Sequence, residues 1–286
     1  MPLARDGTGV GATARAFWSQ VHPVFMTPPL AASLFGAILA GSVDPTIAVI
    51  HVVAMFAAVY TAHVKDGYVD FHVRGEDDDH PLSATGCQVA LALSTATFAL
   101  CCVALGVLVD LFAVALVVPT WLIAYHHAPQ LDMNPVTATT GYPLGIALSV
   151  LGGYYVQAAT LTAVPIAFAL VFLTLLSGVK VIDDAQDYAY DRSIEKRTVA
   201  VAVGPDRAYG VAYGLMAVAL VAVAGFAIAR VFPVTSLLAA LAFAVVALVA
   251  RRADPELATM LLIRGSYVFL AVLVAAVRFD PVAGLV

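Results

Sequence analysis

The stretch VFLTLLSGVKVIDDAQDYAYDRSIEKRTVAVAVG, residues 171–204, decides the fold of this protein. It begins as an apolar helix and runs without a break into a row of acidic residues that includes Asp183, Asp187 and Asp191. At spacings of i, i+4 and i+8 these three lie on one face of a helix, over about 12 Å. Like charges at that spacing repel each other, and a carboxylate beside hydrocarbon is costly. The pattern therefore predicts a helix that leaves a membrane and needs a cation at its end.

The composition of the whole chain agrees with a membrane protein. Of its 286 residues 62% are hydrophobic and 12% are charged, and the mean hydropathy is +0.95. A soluble domain is typically about 45–50% apolar and about 25% charged, so soluble, disordered and disulfide-scaffold classes are excluded. A net charge of -5 leaves no basic surface for nucleic acid. Cys87, Cys101 and Cys102 are predicted to be buried thiols.

Apolar stretches long enough to cross a bilayer recur along the chain. A spanning helix needs about 20 mostly apolar residues. Nine stretches qualify, at residues 24–42, 46–68, 83–104, 106–126, 139–158, 161–186, 206–229, 232–251 and 258–278. Turn signals such as Asn134-Pro135 and Gly204-Pro205 separate them. We therefore predict an all-α membrane protein with nine transmembrane helices, in which residues 1–286 form a single integral-membrane domain.

The placement of lysine and arginine predicts the orientation. These residues precede span 1, and they also lie between spans 2 and 3, between spans 6 and 7, and after span 8. The opposite side offers only Arg230 and Arg278. Because cytoplasmic loops carry the excess of lysine and arginine, we expect a cytoplasmic N-terminus and, with nine spans, a C-terminus outside. Residues 13–22, which include Phe17 and Trp18, fit a helix lying on the membrane surface.

Eleven of the nineteen acidic residues fall in two clusters. They are Asp66, Asp70, Glu76, Asp77, Asp78 and Asp79 after span 2, and Asp183, Asp184, Asp187, Asp191 and Glu195 at the end of span 6. Spans 2 and 6 run in the same direction, so both clusters are expected on the cytoplasmic face. Asp66 and Asp70 repeat the i, i+4 spacing of the second cluster.

Two carboxylate rows on one side of a bilayer suit a hard divalent cation. Mg²⁺ takes oxygen ligands and is often completed by substrate phosphate oxygens. In a membrane-embedded site, a prenyl diphosphate is the natural phosphate ligand, because its tail partitions into lipid. The predicted metal ligands are Asp66, Asp70, Asp183, Asp187 and Asp191. Solvated acidic helix ends are the alternative interpretation, and we favour it for the run Glu76–Asp79.

The stretch Val181–Gly204 resembles a known signature. It is similar to the second aspartate-rich motif of the UbiA superfamily of intramembrane prenyltransferases, D-x-x-x-D followed by G-K-x-T-x-x-V-x-x-G. Asp187 and Asp191 fall on the paired aspartates, and Glu195 replaces the usual glycine. The rest of the motif falls on Lys196, Thr198, Val201 and Gly204. The stretch GGYYVQ, residues 152–157, resembles the menaquinone-type branch.

The first aspartate-rich motif of that family is altered in this chain. The family shows N-D-x-x-D-x-x-x-D or N-x-x-x-D-x-x-x-D, whereas residues 66–74 read DGYVDFHVR. Asp66 takes the Asn position, Asp70 is the retained aspartate, and Arg74 replaces the last one. Either Glu76 or Asp77 supplies the missing charge, or Arg74 contacts the diphosphate itself, since a guanidinium forks onto phosphate. The loop at residues 125–134 also lacks the lysine or arginine common in the family.

The resemblance implies a fold, a reaction and a set of residues. It implies nine helices around a central chamber that opens to the cytoplasm, two Mg²⁺ ions, and transfer of a prenyl group from a prenyl diphosphate to a lipophilic acceptor. The implied catalytic residues are Asp66, Asp70, Asp187 and Asp191. The implied substrate-binding residues are Arg74, Lys180, Lys196 and Arg197, with Tyr68, Tyr154 and Tyr188 stabilising the carbocation.

The sequence leaves several functions open. The acceptor is a quinone precursor, an ether-lipid precursor or a carotenoid. A second enzyme class is an intramembrane terpene cyclase of the same superfamily, which would capture the cation with its own double bonds. The third class is a non-catalytic transporter, but transporter sites gather at the membrane midplane and these acids lie at one face.

Overall fold

The computed structural model describes residues 2–280, and within that range the chain is helical without any β-strand. The helices are α1 (Val10–Trp18), α2 (Pro23–Leu39), α3 (Pro45–Gly67), α4 (Ala84–Leu108), α5 (Leu111–Tyr125), α6 (Pro135–Ala158), α7 (Ala163–Gln186), α8 (Tyr188–Ser193), α9 (Val199–Val203), α10 (Pro205–Ile228), α11 (Leu237–Ala250) and α12 (Pro255–Phe279). Two π-helical segments, Tyr68–Arg74 and His127–Leu131, follow α3 and α5, and a 3₁₀ turn, Val234–Ser236, precedes α11. The predicted all-α class is confirmed, and the predicted outside C-terminus falls on residues beyond this range.

The turn signals in the sequence become helix starts. The Asp44 carboxylate accepts a hydrogen bond from the Thr46 backbone N–H at 2.8 Å, and Pro45 opens α3. Asn134 before α6 and Asp254 before α12 cap their helices in the same way. An acceptor side chain satisfies a free N–H of the first turn, and proline at the first position lacks the N–H that would be orphaned. These caps fix where the apolar segments begin.

Each of the nine predicted spans overlaps one helix among residues 2–280, although α6 is less apolar than the others. Five helical segments are long and apolar enough to cross a membrane by themselves: Pro45–Arg74, α4, α7, α10 and α12. The pair α1 and α2 would make a sixth, although it is bent by 67°. The helix α5 and the segment Val234–Ala250 are apolar but shorter. The chain is therefore a multi-pass membrane protein, and the count of nine spans stays a prediction.

The interior is built around α7, which packs against α6 and α10. Phe168 and Phe172 of α7 are fully buried, and Phe172 contacts Phe269 of α12 at 5.8 Å between ring centres. Large apolar side chains such as Leu100 and Ile228 point outward and are exposed. This outward apolar surface matches a lipid environment. The three cysteines are buried and unpaired, as predicted.

The first helix, α1, is inclined to the helix that follows it. The bend of 67° separates α1 from α2, and Trp18 at the end of α1 is exposed. Ala12 and Ala16 bury the other face of α1 beside Val64 and Leu82. This arrangement agrees with the predicted surface helix and places it against the end of α3.

Helices α2 and α6 approach each other closely through glycine. A Cβ atom on Gly36 would overlap the Val150 carbonyl oxygen, and one on Gly153 would overlap the Ser33 carbonyl oxygen. Small residues of this kind let helix backbones meet inside a membrane, where packing drives association. The contact holds α2 against α6 and therefore sets the position of the chamber wall.

Replacing Gly153 by alanine should separate these two helices. We expect Gly153→Ala to lower the free energy of unfolding by about 1–3 kcal/mol, because the added methyl group meets backbone that cannot yield. Gly214→Ala is the matched control, since a Cβ at Gly214 in α10 meets open space. Thermal unfolding in detergent measures both. Equal midpoints for the two variants would contradict the packing argument.

Candidate active site

A cavity of about 680 Å³ lies inside the bundle and has one polar and one apolar end. Residues of α2, α3, α6, α7 and α12 form its walls. Its apolar part is lined by Phe25, Met55, Ile146, Phe172, Leu176 and Leu270. Its polar part is lined by His63, Asp66, Asp70, His127, Lys180 and Asp183. Such a cavity can hold a long apolar chain with a charged head.

The two acidic clusters meet at the polar end of this cavity. Asp66 is in the last turn of α3, Asp183 is in the last turn of α7, and both line the cavity. The two helices therefore run toward the same end of the bundle. Asp77 and Asp79 of the loop after the first cluster also line the cavity. This loop, interpreted from the sequence as solvated, in fact contributes to the edge of the site.

The carboxylates in the cavity fit a site completed by substrate oxygens. Asp66 forms no ion pair among residues 2–280, whereas Asp183 pairs with Lys180 at 3.0 Å. The one compact group of three metal-binding side chains in that range contains no aspartate. Mg²⁺ is commonly held by one or two carboxylates together with substrate phosphates. The oxygen donor set therefore fits Mg²⁺ bound with a diphosphate.

Among residues 2–280, Lys180 is the one lysine or arginine that lines the cavity. Its ammonium group donates to Asp184 at 2.6 Å and to Asp183 at 3.0 Å. Asp184 is buried, and its second carboxylate oxygen has no partner among the described residues. Asp184 is a member of the second acidic cluster that was not predicted to bind metal or substrate. Its spacing of i+4 from Lys180 was the signal that could have found it.

The second acidic row is not one continuous helix, so that part of the prediction is wrong. The helix α7 ends at Gln186, Asp187 breaks the helical path, and α8 begins at Tyr188. Asp187 is exposed, and neither it nor Asp191 lines the cavity. Stacked carboxylates repel each other, and the break lets Asp187 turn into water. Both predicted metal ligands therefore lie outside the cavity wall, in or beside the short helix α8 that follows α7.

Asp191 differs from Asp187 because it is buried. Its side chain is 4% exposed, and its backbone carbonyl accepts a hydrogen bond from the Lys196 N–H at 2.9 Å. Burial raises the pKa of Asp191 to about 6, although the Lys196 ammonium acts in the opposite direction. A carboxylate held in this way gains from a nearby cation, which a metal at the rim would supply.

Glu195, which directly precedes Lys196, is held in an unusual backbone conformation. Glu195 has a φ of 60°, in the left-handed region that favours glycine. The resembling motif has glycine at this position. The tight turn that brings Lys196 back to Asp191 therefore explains that glycine, and glutamate adopts the same turn here at a cost of about 1 kcal/mol.

Arg74 is surrounded by carboxylates. Its guanidinium lies 3.0 Å from Asp132, 3.4 Å from Asp70 and 3.5 Å from Glu76. The side chain does not line the cavity. Arg74 thus bridges the π-helical segment Tyr68–Arg74 and the loop after His127–Leu131. In this structure the guanidinium fixes two loops to each other, and its contact with a diphosphate stays a prediction.

Glu76 returns toward the first cluster. Its backbone N–H donates to the Asp70 carbonyl at 2.8 Å, and its side chain is 8% exposed. The left-handed Gly75 makes this reversal of the chain, with a φ of 66°. The Glu76 side chain is 3.5 Å from Arg74, whereas Asp77 lines the cavity, so which of the two replaces the missing acidic charge stays a prediction.

The other predicted substrate-binding residues lie outside the cavity wall. Tyr68 packs near Lys65 and His72, and Tyr188 accepts a hydrogen bond from Arg192 at 3.4 Å. Lys196 is close to the rim through Asp191. The Arg197 backbone N–H donates to the Asp132 carbonyl at 3.2 Å, and its side chain is exposed.

Tyr154 is at the opposite end of the bundle from the acidic residues. Its hydroxyl lies 3.3 Å from the Thr162 hydroxyl, and three residues later Gln157 bonds to Asp44 in the turn before α3. Asp66 is at the far end of α3. The sequence pattern GGYYVQ did not indicate which end of α6 lies near the acidic residues. The structure places Tyr154 at the other end, so its predicted contact with the substrate beside the acidic residues is wrong.

Three side chains form a compact group beside the first cluster. The nearest ligand atoms of His72, His80 and Cys87 lie within 4.8 Å of one another. Both imidazoles are bonded to Leu82, since His80 Nδ1 accepts from its N–H at 3.1 Å and His72 Nε2 lies 3.2 Å from its carbonyl. Burial lowers the pKa of His80. The two imidazoles hold the segment that follows Asp79. The Arg5 guanidinium also forms an ion pair with the Asp79 carboxylate at 2.9 Å.

Comparisons with known proteins place this fold. No protein-family model matches the chain, and no curated protein matches it significantly. Among solved structures, the chain is similar to one described as giving structural and mechanistic insights into digeranylgeranylglyceryl phosphate synthase in membranes. The TM-score is 0.70 at 12% identity, covering 93% of this chain and 98% of that one.

Two archaeal structures are similar to it as well. A UbiA homologue from Archaeoglobus fulgidus bound to GPP and Mg²⁺ gives a TM-score of 0.67 at 16% identity over 93% of this chain and 99% of that one. The apo UbiA homologue from Aeropyrum pernix K1 gives 0.67 at 13% identity over 90% and 97%. The resemblance inferred from the aspartate motifs is therefore confirmed at the level of the fold. The menaquinone-type branch is not distinguished.

The ion pair between Arg74 and Asp132 should contribute measurably to stability. We expect a double-mutant cycle with Arg74→Gln and Asp132→Asn to give a coupling free energy on the order of 1 kcal/mol, because both side chains are largely buried. Denaturant unfolding in detergent measures the four proteins. The pair Arg5 and Asp79, which is more exposed, is the control and should couple more weakly. Additive effects at Arg74 and Asp132 would show that the bridge is incidental.

Proposed function

We propose that this protein is a Mg²⁺-dependent intramembrane prenyltransferase, which transfers a prenyl group from a prenyl diphosphate to a lipophilic acceptor. The observation that carries the proposal is the cavity itself, with carboxylates of α3 and α7 at one end and apolar side chains at the other. The fold similarity to a UbiA homologue bound to GPP and Mg²⁺ supports it. A prenyl diphosphate has the same division between charged head and apolar tail.

We assign the metal-binding role to carboxylates of both rows. Asp66, Asp70 and Asp183 would hold Mg²⁺ from inside the cavity, while Asp187 and Asp191 would act from the rim. Two ions would suit two rows. When bound, the metal supplies Lewis-acid stabilisation of the leaving diphosphate, which is worth several kcal/mol.

The chain's own residues bind and shield the substrate. Lys180 places a positive charge beside Asp183, where it can stabilise charge on the leaving diphosphate. Phe172, Met55 and Leu270 line the apolar part, where the prenyl chain would lie. An apolar wall excludes water from the reactive carbon and prevents hydrolysis in place of transfer.

We place the polar end of the cavity on the cytoplasmic side. The lysine and arginine residues between spans 2 and 3 and between spans 6 and 7 flank this end. The excess of these residues in cytoplasmic loops supports a cytoplasmic N-terminus and a site that opens to the cytoplasm. Soluble prenyl diphosphate would then enter from the compartment in which its head is hydrated.

Removing a carboxylate from either row should abolish turnover. We expect Asp70→Asn and Asp183→Asn each to lower kcat at least about 100-fold at saturating Mg²⁺, because each loses part of the metal's transition-state stabilisation. Asp78→Asn is the matched control, since Asp78 is exposed in the same loop and does not line the cavity. The assay follows labelled geranylgeranyl diphosphate with and without lipid extract.

The products of that assay separate the functions. Acceptor-dependent product supports transfer, and acceptor-free hydrocarbon would show cyclisation instead. No turnover by the wild-type protein would favour a transport function. Full activity of both variants would remove these aspartates from the site.

Cysteine labelling tests the orientation. In a protein lacking Cys87, Cys101 and Cys102, a cysteine at Asp78 or Ser193 should label in inverted vesicles and resist an impermeant thiol reagent in intact cells. A cysteine at Ser42, between α2 and α3, should show the reverse pattern. All three positions are exposed in the structure. Labelling of Asp78→Cys in intact cells would overturn the assignment of this end to the cytoplasm.

A further inference from the structure

We propose that His72, His80 and Cys87 form a binding site for a Zn²⁺ ion, separate from the Mg²⁺ site proposed above. The three side chains come from different elements, which are the π-helical segment Tyr68–Arg74, the loop that follows it, and the start of α4. The proposal goes beyond prenyl transfer and does not depend on it. It rests on the chemistry of the donor atoms, on their spacing and on the way the imidazole rings are held.

The donor atoms are of the kind that zinc binds. Imidazole nitrogen and thiolate sulfur are common ligands of Zn²⁺, whereas Mg²⁺ prefers oxygen. His80 is 4% exposed, and Cys87 is fully buried and forms no disulfide. Among residues 2–280 no carboxylate belongs to this compact group. The group therefore differs in chemistry from the two acidic rows.

The spacing of the three donors suits an ion of this size. One ligand atom of each residue lies within 4.8 Å of the other two. Zinc bonds of about 2.0–2.1 Å to nitrogen and about 2.3 Å to sulfur place tetrahedral ligands roughly 3.3–3.6 Å apart. The donors therefore have to approach each other, by roughly 1.5 Å at most. A water-sized void is not required, because the ion lies between its ligands and replaces contacts among them.

One backbone carbonyl orients both imidazole rings. The Leu82 carbonyl oxygen lies 3.2 Å from His72 Nε2 and 3.2 Å from His80 Nδ1. A histidine that binds metal almost always donates its other ring N–H to a group such as this carbonyl. When His80 Nδ1–H donates to Leu82, the lone pair is on Nε2, which is buried without a hydrogen-bond partner among residues 2–280. A buried polar atom left in this way is costly, and an ion held inside the group would satisfy it.

The ion would fasten the loop at the edge of the cavity. Asp77 and Asp79 of this loop line the cavity, and so does His80. Zn²⁺ would join the loop to α4 through Cys87 and to the end of the first acidic cluster through His72. A ligand that binds the folded protein alone stabilises it by mass action. Bound zinc should therefore make the protein more resistant to unfolding.

The experiment measures metal content and stability without any prenyl substrate. The reduced protein is stripped with a chelator and dialysed against Zn²⁺ with excess Mg²⁺, which occupies oxygen sites. Zinc per chain is measured by atomic emission, and Co²⁺ in place of Zn²⁺ reports thiolate binding by its charge-transfer band. The variants are Cys87→Ala, His80→Gln and Asp66→Asn. Cys101→Ala is the matched control, because Cys101 is a buried, unpaired thiol of the same helix outside the group.

We expect the wild-type protein and Cys101→Ala to bind one Zn²⁺ per chain with a Kd below about 1 μM. Zn²⁺ at about 100 times this Kd should raise the thermal midpoint by on the order of 5 °C. Cys87→Ala and His80→Gln should each weaken binding at least about 100-fold, because losing an outer-shell partner alone costs about 10–100-fold. The affinity should rise with pH, since the Cys87 thiol gives its proton to water when the metal binds.

Other outcomes overturn the inference. Equal zinc binding by Cys87→Ala and the wild-type protein, or Co²⁺ binding without the charge-transfer band, would place the ion elsewhere. Zinc lost from Asp66→Asn and kept by Cys87→Ala would assign it to the acidic rows. A folded wild-type protein that binds no zinc would refute the site. A loss of stability in Cys87→Ala and His80→Gln that is the same with and without Zn²⁺ would reduce the group to a packing role.

Discussion

The cost of keeping carboxylates at the end of an apolar bundle governs this structure. Asp66 and Asp183 lie in the last turns of α3 and α7, and Asp70 lies just beyond α3. Their charges repel each other unless cations are near, and carboxylates beside hydrocarbon are costly. The chain supplies only part of the compensation, through Lys180 and Arg74. The remaining negative charge lies at the mouth of a cavity whose depth is apolar. The metal-bound prenyl diphosphate proposed above would satisfy both requirements at once.

The same constraint explains how the altered first motif is accommodated. An arginine at position 74 would be unfavourable in a site that binds metal, unless it were turned away from the cavity. Here it is turned toward Asp132, which belongs to the loop after α5. Glu76 then returns an acidic charge close to Asp70. The π-helical winding of residues 68–74 changes the side-chain directions that an α-helix would give, a distortion often found at functional sites.

Much of the architecture could be predicted from local chemistry. The hydrophobic composition excluded a soluble class, and apolar length predicted where the long helices lie. Asp44, Asn134 and Asp254 mark helix starts, because capping is a contact between neighbouring residues. The presence of both acidic rows at one end also followed, since an even number of spans separates them. These features can be predicted because each depends on the chemistry of neighbouring residues or on the length of one apolar segment.

The sequence by itself thus determined the helical membrane class, the helix starts and the shared end of the two acidic rows. Only the tertiary structure decided that the helix breaks at Asp187, that Arg74 binds Asp132, and that Tyr154 lies far from the acidic rows. The predicted contact of Tyr154 with the substrate was wrong because it also depended on how the helices pack together. The physical cause is that a side chain's partner is set by packing between helices far apart in the chain. Periodicity within one helix fixes which residues share a face, but not what that face meets.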